Sequence, residues 1–160
     1  RLAESSGSLF LKSYALTFLA HAEVELGALN DDWEHYLEAS KLRGEMGAEN
    51  LRIESLAGCV RVLLARKQAK RALPECEEIL RYLHEYPDAE GTDEPLRIYL
   101  TVYQALHANH DPRASALLAT AQQILQTRAN RLSDPDVRQS FLTQITTHQW
   151  IGRKRLENRD

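Results

Sequence analysis

Apolar residues return at intervals of three and four along almost the whole chain. No other feature constrains the fold as tightly, because that spacing lines one face of an α-helix. Leu9, Phe10, Tyr14, Leu16, Phe18, Leu19, Ala22 and Leu26 form the first stripe, and Gly27 closes it. Trp33, Tyr36, Leu37, Ala39 and Leu42 form the second. Asp31 and Glu34 stand before it at capping-box spacing, and Gly44 to Gly47 mark its end. A third helix is predicted over about 50–66 and a fourth over about 69–86, with Pro74 in its first turn. The segment 87–93 joins Pro, Gly and acids and reads as a longer connection inside one domain. Glu94-Pro95, Asp111-Pro112 and Asp134-Pro135 each pair an acid with a proline that suits a first helical turn. They open the fifth, sixth and seventh helices. A weaker last helix carries Trp150, Ile151 and Leu156. No segment alternates as a strand does. Seven Gly and five Pro in 160 residues also leave little turn chemistry for a sheet protein.

The helices come in pairs, and the pairs repeat. The tight turns inside them fall at Gly27, near Lys67, and near Asn109 or His110, a period slightly above 40 residues. Leu16, Leu19 and Ala20 precede Gly27 by eleven, eight and seven positions. Leu56, Cys59 and Val60 precede Lys67 by the same steps, and Tyr99, Val102 and Tyr103 precede His110 likewise. One helical face therefore recurs three times in register.

This pattern resembles the tetratricopeptide repeat. The first pair carries Leu19-Ala20, Gly27, Tyr36 and Ala39 at the family's positions. The second keeps Ala72 and Ile79 but has Lys67 where Gly is usual and Val60 where a small residue is usual. The third needs a one-residue shift in its turn. The resemblance covers about residues 9–130. It implies an all-α fold, a right-handed superhelical stack of three helical hairpins with a C-terminal cap. The repeats fall at about 9–46, 50–86 and 94–131, and the cap at 134–158, within one domain over 1–160. A narrower resemblance rests on Glu94-Pro95-Leu96-Arg97-Ile98-Tyr99-Leu100, Asp111-Pro112-Arg113-Ala114 and the segment 134–142. These look like the C-terminal repeat region of large bacterial signalling ATPases and transcriptional regulators. That likeness, and a first residue that is not Met, lead to the expectation of a piece cut from a longer multidomain protein.

Catalytic and cofactor signatures were sought along the chain. It has no GxxxxGK[ST] or GxGxxG loop and no HExxH helix, so no phosphate, metal or cofactor site is predicted and no enzyme activity is expected. His107 and His110 share a helix end without a third ligand in sequence reach, and metal sites need three or four. Ser5, Ser6 and Ser8 lie in an expected frayed start. Cys59 and Cys76 suit two buried free thiols, in keeping with a reducing cytoplasm. No run of about 18 apolar residues suggests a membrane span. Residues 1–60 hold ten acids against five bases, which argues against a nucleic-acid surface there. Residues 112–160 hold four acids against eight bases, which suits a solvated terminal helix.

Stacked hairpins leave a concave face made mainly by the first helix of each pair. The periodic steps place Tyr14, Thr17, His21 and Glu25 there from the first helix. The third supplies Glu54 and Arg61, and the fifth Arg97, Gln104 and His107. This mixture of rings and both charges suits a protein or peptide partner, or a neighbouring domain. The expected function is a non-catalytic interaction and scaffold module, the sensor or partner-binding arm of a regulatory protein. The alternative is a small effector held in the superhelical groove. Self-association through the terminal helices is a third possibility.

Overall fold

A computed structural model of the chain describes residues 2–27 and 32–157. Every regular element among them is helical. They are α1 (Leu2–Glu25), α2 (Asp32–Glu45), α3 (Glu49–Ala65), a short 3-10 turn (Ala69–Ala72), α4 (Leu73–Glu85), α5 (Pro95–Ala108), α6 (Arg113–Asn130), α7 (Pro135–Thr143) and α8 (Thr146–Glu157). The all-α expectation holds. No helix among the described residues is long and apolar enough to cross a membrane. The residues separate into two units, 1–93 and 94–160, and the boundary falls at the end of the 87–93 connection.

The predicted turns appear as left-handed backbone. Gly27, Lys67 and His110 have φ of +69°, +58° and +56°. At the second, the Lys67 amide reaches Leu64 O (2.9 Å) and the Gln68 amide reaches back to Leu63 O (2.8 Å). At the third, His110 bonds His107 O (3.1 Å) and Asp111 bonds Leu106 O (3.0 Å). Both ends are Schellman motifs, which satisfy carbonyls that a helix end otherwise leaves open. Gly47 (φ +70°) closes α2 the same way, with the Ala48 amide on Arg43 O at 2.9 Å.

Of the three acid–proline starts, Asp134-Pro135 forms as predicted, whereas Glu94 makes no side-chain capping bond and Pro112, not Asp111, takes the cap position of α6. The Asp134 carboxylate accepts from the amides of Asp136 (2.8 Å) and Val137 (3.2 Å), with Pro135 as the first residue of α7. Asp111 accepts from the Arg113 amide at 2.9 Å and from its guanidinium. Those bonds, the guanidinium first, hold its carboxyl down to about 2. Asp31, predicted as a cap, lies outside the described residues. Two further starts differ from expectation. Leu2 to Ser8 continue α1 where fraying is predicted, and residues 69–72 form a 3-10 turn ahead of α4.

In the first unit, α2 packs between α1 and α3, and α3 carries α4 on its other side. Buried Ala20, Tyr36, Cys59 and Val62 join all three helices, with Val24 and Trp33 against them. Trp33 thus staples three helices where sequence spacing suggests two. Cys59 and Cys76 are buried free thiols.

The first stripe is the main correction. Phe10, Phe18, Leu19, Ala22 and Leu26 of that stripe are exposed. Small residues are buried instead: Ser13, Thr17 and Ala20. The Ser13 hydroxyl donates to Phe10 O (2.8 Å) and that of Thr17 to Ser13 O (2.9 Å). Their polarity is satisfied within α1, so they bury without a hydrogen-bond penalty.

In the second unit, α5 packs on α6 and α8, and α6, α7 and α8 pack on one another. Trp150 lies against Tyr103, ring centroids 5.3 Å apart, so it seals α8 onto α5 within this unit. Gln122 Nε2 donates to Ile151 O (3.3 Å) and ties α6 to α8.

Candidate functional site

In the first unit the predicted residues meet in two rungs, each running α1–α2–α3. The upper rung is centred on Tyr36, buried to 1% exposure. Its hydroxyl shares a hydrogen bond with His21 Nδ1, the two rings meeting edge-on at 5.4 Å. The Arg61 guanidinium lies over the same ring, 5.7 Å from its centroid. His21 and Arg61 are 40 residues apart in sequence, the same spacing that separates the left-handed turn residues Gly27 and Lys67.

The lower rung is centred on Arg43, also 1% exposed. Its Nη1 donates to Leu51 O (2.9 Å) and Ser55 Oγ (2.8 Å), both on α3. Its charged head stands 4.9 Å from the Tyr14 ring centroid on α1. Burial pushes the Arg43 guanidinium below its ordinary value, while Glu54, Tyr14 and Asp93 pull the other way. Burial pushes the Tyr14 phenol up. The charges of Asp93 and Glu54 add to that, and Arg43 opposes it. Tyr14 and Glu54 are again 40 residues apart. Glu54 is 8% exposed and accepts the Asp93 amide at 3.1 Å, which holds the 87–93 connection against α3.

His21 and Arg61 are therefore brought together on Tyr36, and Tyr14 is held beside Arg43, both anchors being residues of α2. Thr17 is buried inside the α1–α2 packing and presents no free hydroxyl to a face. The Glu25 side chain lies outside the described residues. On α5 of the second unit, Arg97 pairs with Glu94 at 2.6 Å. Gln104 is half-buried. His107 is exposed and stacks on Tyr103 at 5.5 Å, 14° from parallel. His110 serves as the left-handed turn residue of its hairpin.

Arg43 escaped the sequence reading. A lone Arg in the last turn of a helix looks like a surface partner of the helix dipole. The available signal was Ser13 and Ser55, each offering a small polar group at a packed position.

A depression of about 300 Å³ in the second unit is walled by Ala119, Gln122, Gln123, Gln126 and Thr127. All five belong to α6, so they make one wall of amides and not an enclosed apolar pocket. Among the described residues no group of three or more His, Cys, Asp or Glu is placed to hold a metal ion. Comparison with family models, with curated proteins and with solved structures finds no match for this chain.

Proposed function

We propose that the chain is a non-catalytic interaction module of the tetratricopeptide type, which binds a segment of a protein partner. The observation that carries this reading is the meeting of His21 and Arg61, 40 residues apart, on the buried Tyr36, with Tyr14 held beside the buried Arg43. Each buried anchor couples one hairpin to the next. The half-buried ends, an imidazole, a guanidinium and a phenol, are held before any partner arrives. Preorganised Tyr and Arg are the residue types that dominate binding energy at protein interfaces. The mixed chemistry suits a peptide carrying both an acid and an aromatic or apolar side chain. The acid pairs with Arg61, and the ring packs beside Tyr14 and His21. The second unit offers Arg97, Gln104 and His107 on α5 as a separate set.

The resemblance to bacterial signalling and transcription-regulatory proteins supplies the setting we propose. There the module acts as a sensor or partner-binding arm in the cytoplasm, with no cofactor and no direct role at nucleic acid. The closed-pocket alternative finds no support in the one-walled depression on α6.

The test uses a displayed library of random twelve-residue peptides, selected on the chain. Selected peptides should carry an acid, and Arg61→Ala should weaken the best of them at least tenfold. Selection of peptides that bind Arg61→Ala, His21→Ala and wild type equally would overturn the assignment of this face.

A further inference from the structure

α1 has two apolar faces. One packs on α2 through Ser13, Thr17 and Ala20. The opposite one consists of Leu11, Ala15, Phe18, Leu19, Ala22 and Leu26, all exposed. Four of these are large, with Leu11 71%, Phe18 63%, Leu19 46% and Leu26 82% exposed. Singly exposed apolar residues are ordinary, but a continuous stripe four turns long marks a contact surface.

The repeat says what kind of contact. Forty residues further on, the equivalent face of α3 carries Leu51, Ser55, Gly58, Cys59 and Val62. That face receives α2. Gly58 lies under the Tyr36 ring, Cys59 Sγ approaches Trp33 O at 4.0 Å, and Arg43 bonds Leu51 O and Ser55 Oγ. The bare face of α1 therefore stands where the fold seats an antiparallel helix.

The stripe also reads the same in both directions. Its steps are 4, 3, 1, 3 and 4. A two-fold axis between positions 18 and 19 sets Leu11 opposite Leu26, Ala15 opposite Ala22 and Phe18 opposite Leu19. We propose that this face docks on the same face of a second copy of the chain, as an antiparallel, two-fold helix pair. Such an isologous contact is the commonest form of self-association. One helix per copy buries less than the ~1,600 Å² of a standard interface, so the dimer is concentration-dependent, with dissociation in roughly the micromolar range.

Sedimentation equilibrium of the chain from about 1 to about 100 μM tests this. The expected mass rises from 18.2 kDa toward twice that value. Phe18→Glu, at an exposed site, should hold it at 18.2 kDa throughout with unchanged circular dichroism. The register has its own test. Ala15→Cys and Ala22→Cys should form a mixed disulfide when the two variants are combined and oxidised. Ala15→Cys alone should not, since two copies of position 15 stand about 10 Å apart along the axis. A monomer at every concentration, a dimer untouched by Phe18→Glu, or ready bridging of Ala15→Cys alone would each overturn the proposal. The first would mean that a different helix covers the face. Phe18 lies against the rings of Tyr14 and His21, both centroids 6.2 Å away, so Leu26→Glu, at a site 82% exposed and outside the proposed peptide-binding residues, repeats the test independently of that reading.

Discussion

A β-carbon placed on Gly58 would lie 2.3 Å from Cδ1 of Tyr36. The two residues belong to α3 and α2, and the ring fills the space that a side chain would take. This contact lets α2 approach α3 closely and fixes the phenol between His21 and Arg61. Gly58→Ala should therefore destabilise the first unit by about 1–3 kcal/mol, because a packed ring cannot move aside freely. Tyr36→Phe keeps the packing and removes the hydroxyl bonded to His21, at about 1 kcal/mol. Urea unfolding read by Trp33 fluorescence, in a Trp150→Phe background, separates the two. Equal losses would mean that the hydroxyl, not the close approach, organises this rung.

Arg43 supports a second prediction. Its guanidinium serves Leu51 O and Ser55 Oγ together, from a site 1% exposed. Arg43→Ala strands those acceptors and opens a cavity, and should cost about 2–4 kcal/mol. Arg43→Lys should recover less than half, since an ammonium lacks the planar fork. The same urea titration checks both. Full rescue by Lys would show that charge alone matters here.

The turns at Lys67 and His110 hold side chains in left-handed backbone, where Gly is favoured. Lys67→Gly and His110→Gly should each stabilise by about 0.5–1 kcal/mol. Gly27→Ala should destabilise by about 1 kcal/mol. Thermal midpoints would move by roughly 2–4 °C. A fall on Lys67→Gly would mean that the lysine side chain contributes something beyond its conformation.

His148 gives a pH prediction for the second unit. Burial lowers its pKa below the ordinary 6.5, aided by Arg128, while its Nδ1–H bond to Phe141 O (2.8 Å) and Glu94 oppose the change. A histidine with a depressed folded pKa favours the fold while neutral. Its contribution is therefore complete above pH 6.5 and is lost as pH falls through the lower folded value. Unfolding followed by Trp150 fluorescence, in a Trp33→Phe background, should show stability declining from about pH 7 to pH 5, and His148→Phe should flatten that decline. An unchanged slope in the variant would place the titration elsewhere.

The helices, their pairing and their caps were legible because each leaves a local mark: periodic apolar residues, Asp-Pro starts, and turns at a fixed spacing. Lys67 and His110 show that spacing carried more information than residue type, since neither is Gly. The sidedness of α1 was not legible. Most of the large apolar residues of α1 lie on the side away from α2, and its packed side is made of the small Ser13, Thr17 and Ala20, which carry no hydrophobic signal. Of the predicted face residues, His21 and Arg61 meet on Tyr36, and Tyr14 stands beside Arg43. Thr17 does not reach that face, because a hydroxyl bonded within its own helix buries as easily as an alanine. The anchors Tyr36 and Arg43 sit on the second helix of the pair, where a reading based on first helices had no reason to look.

The most direct test of the central claim is a residue-resolved NMR titration of the chain with the strongest library-selected peptide. The account predicts that the largest shift changes gather at Tyr14, His21, Glu54 and Arg61, and that they vanish in Arg61→Ala. Changes confined to α6 or α7, with those four residues silent, would contradict it.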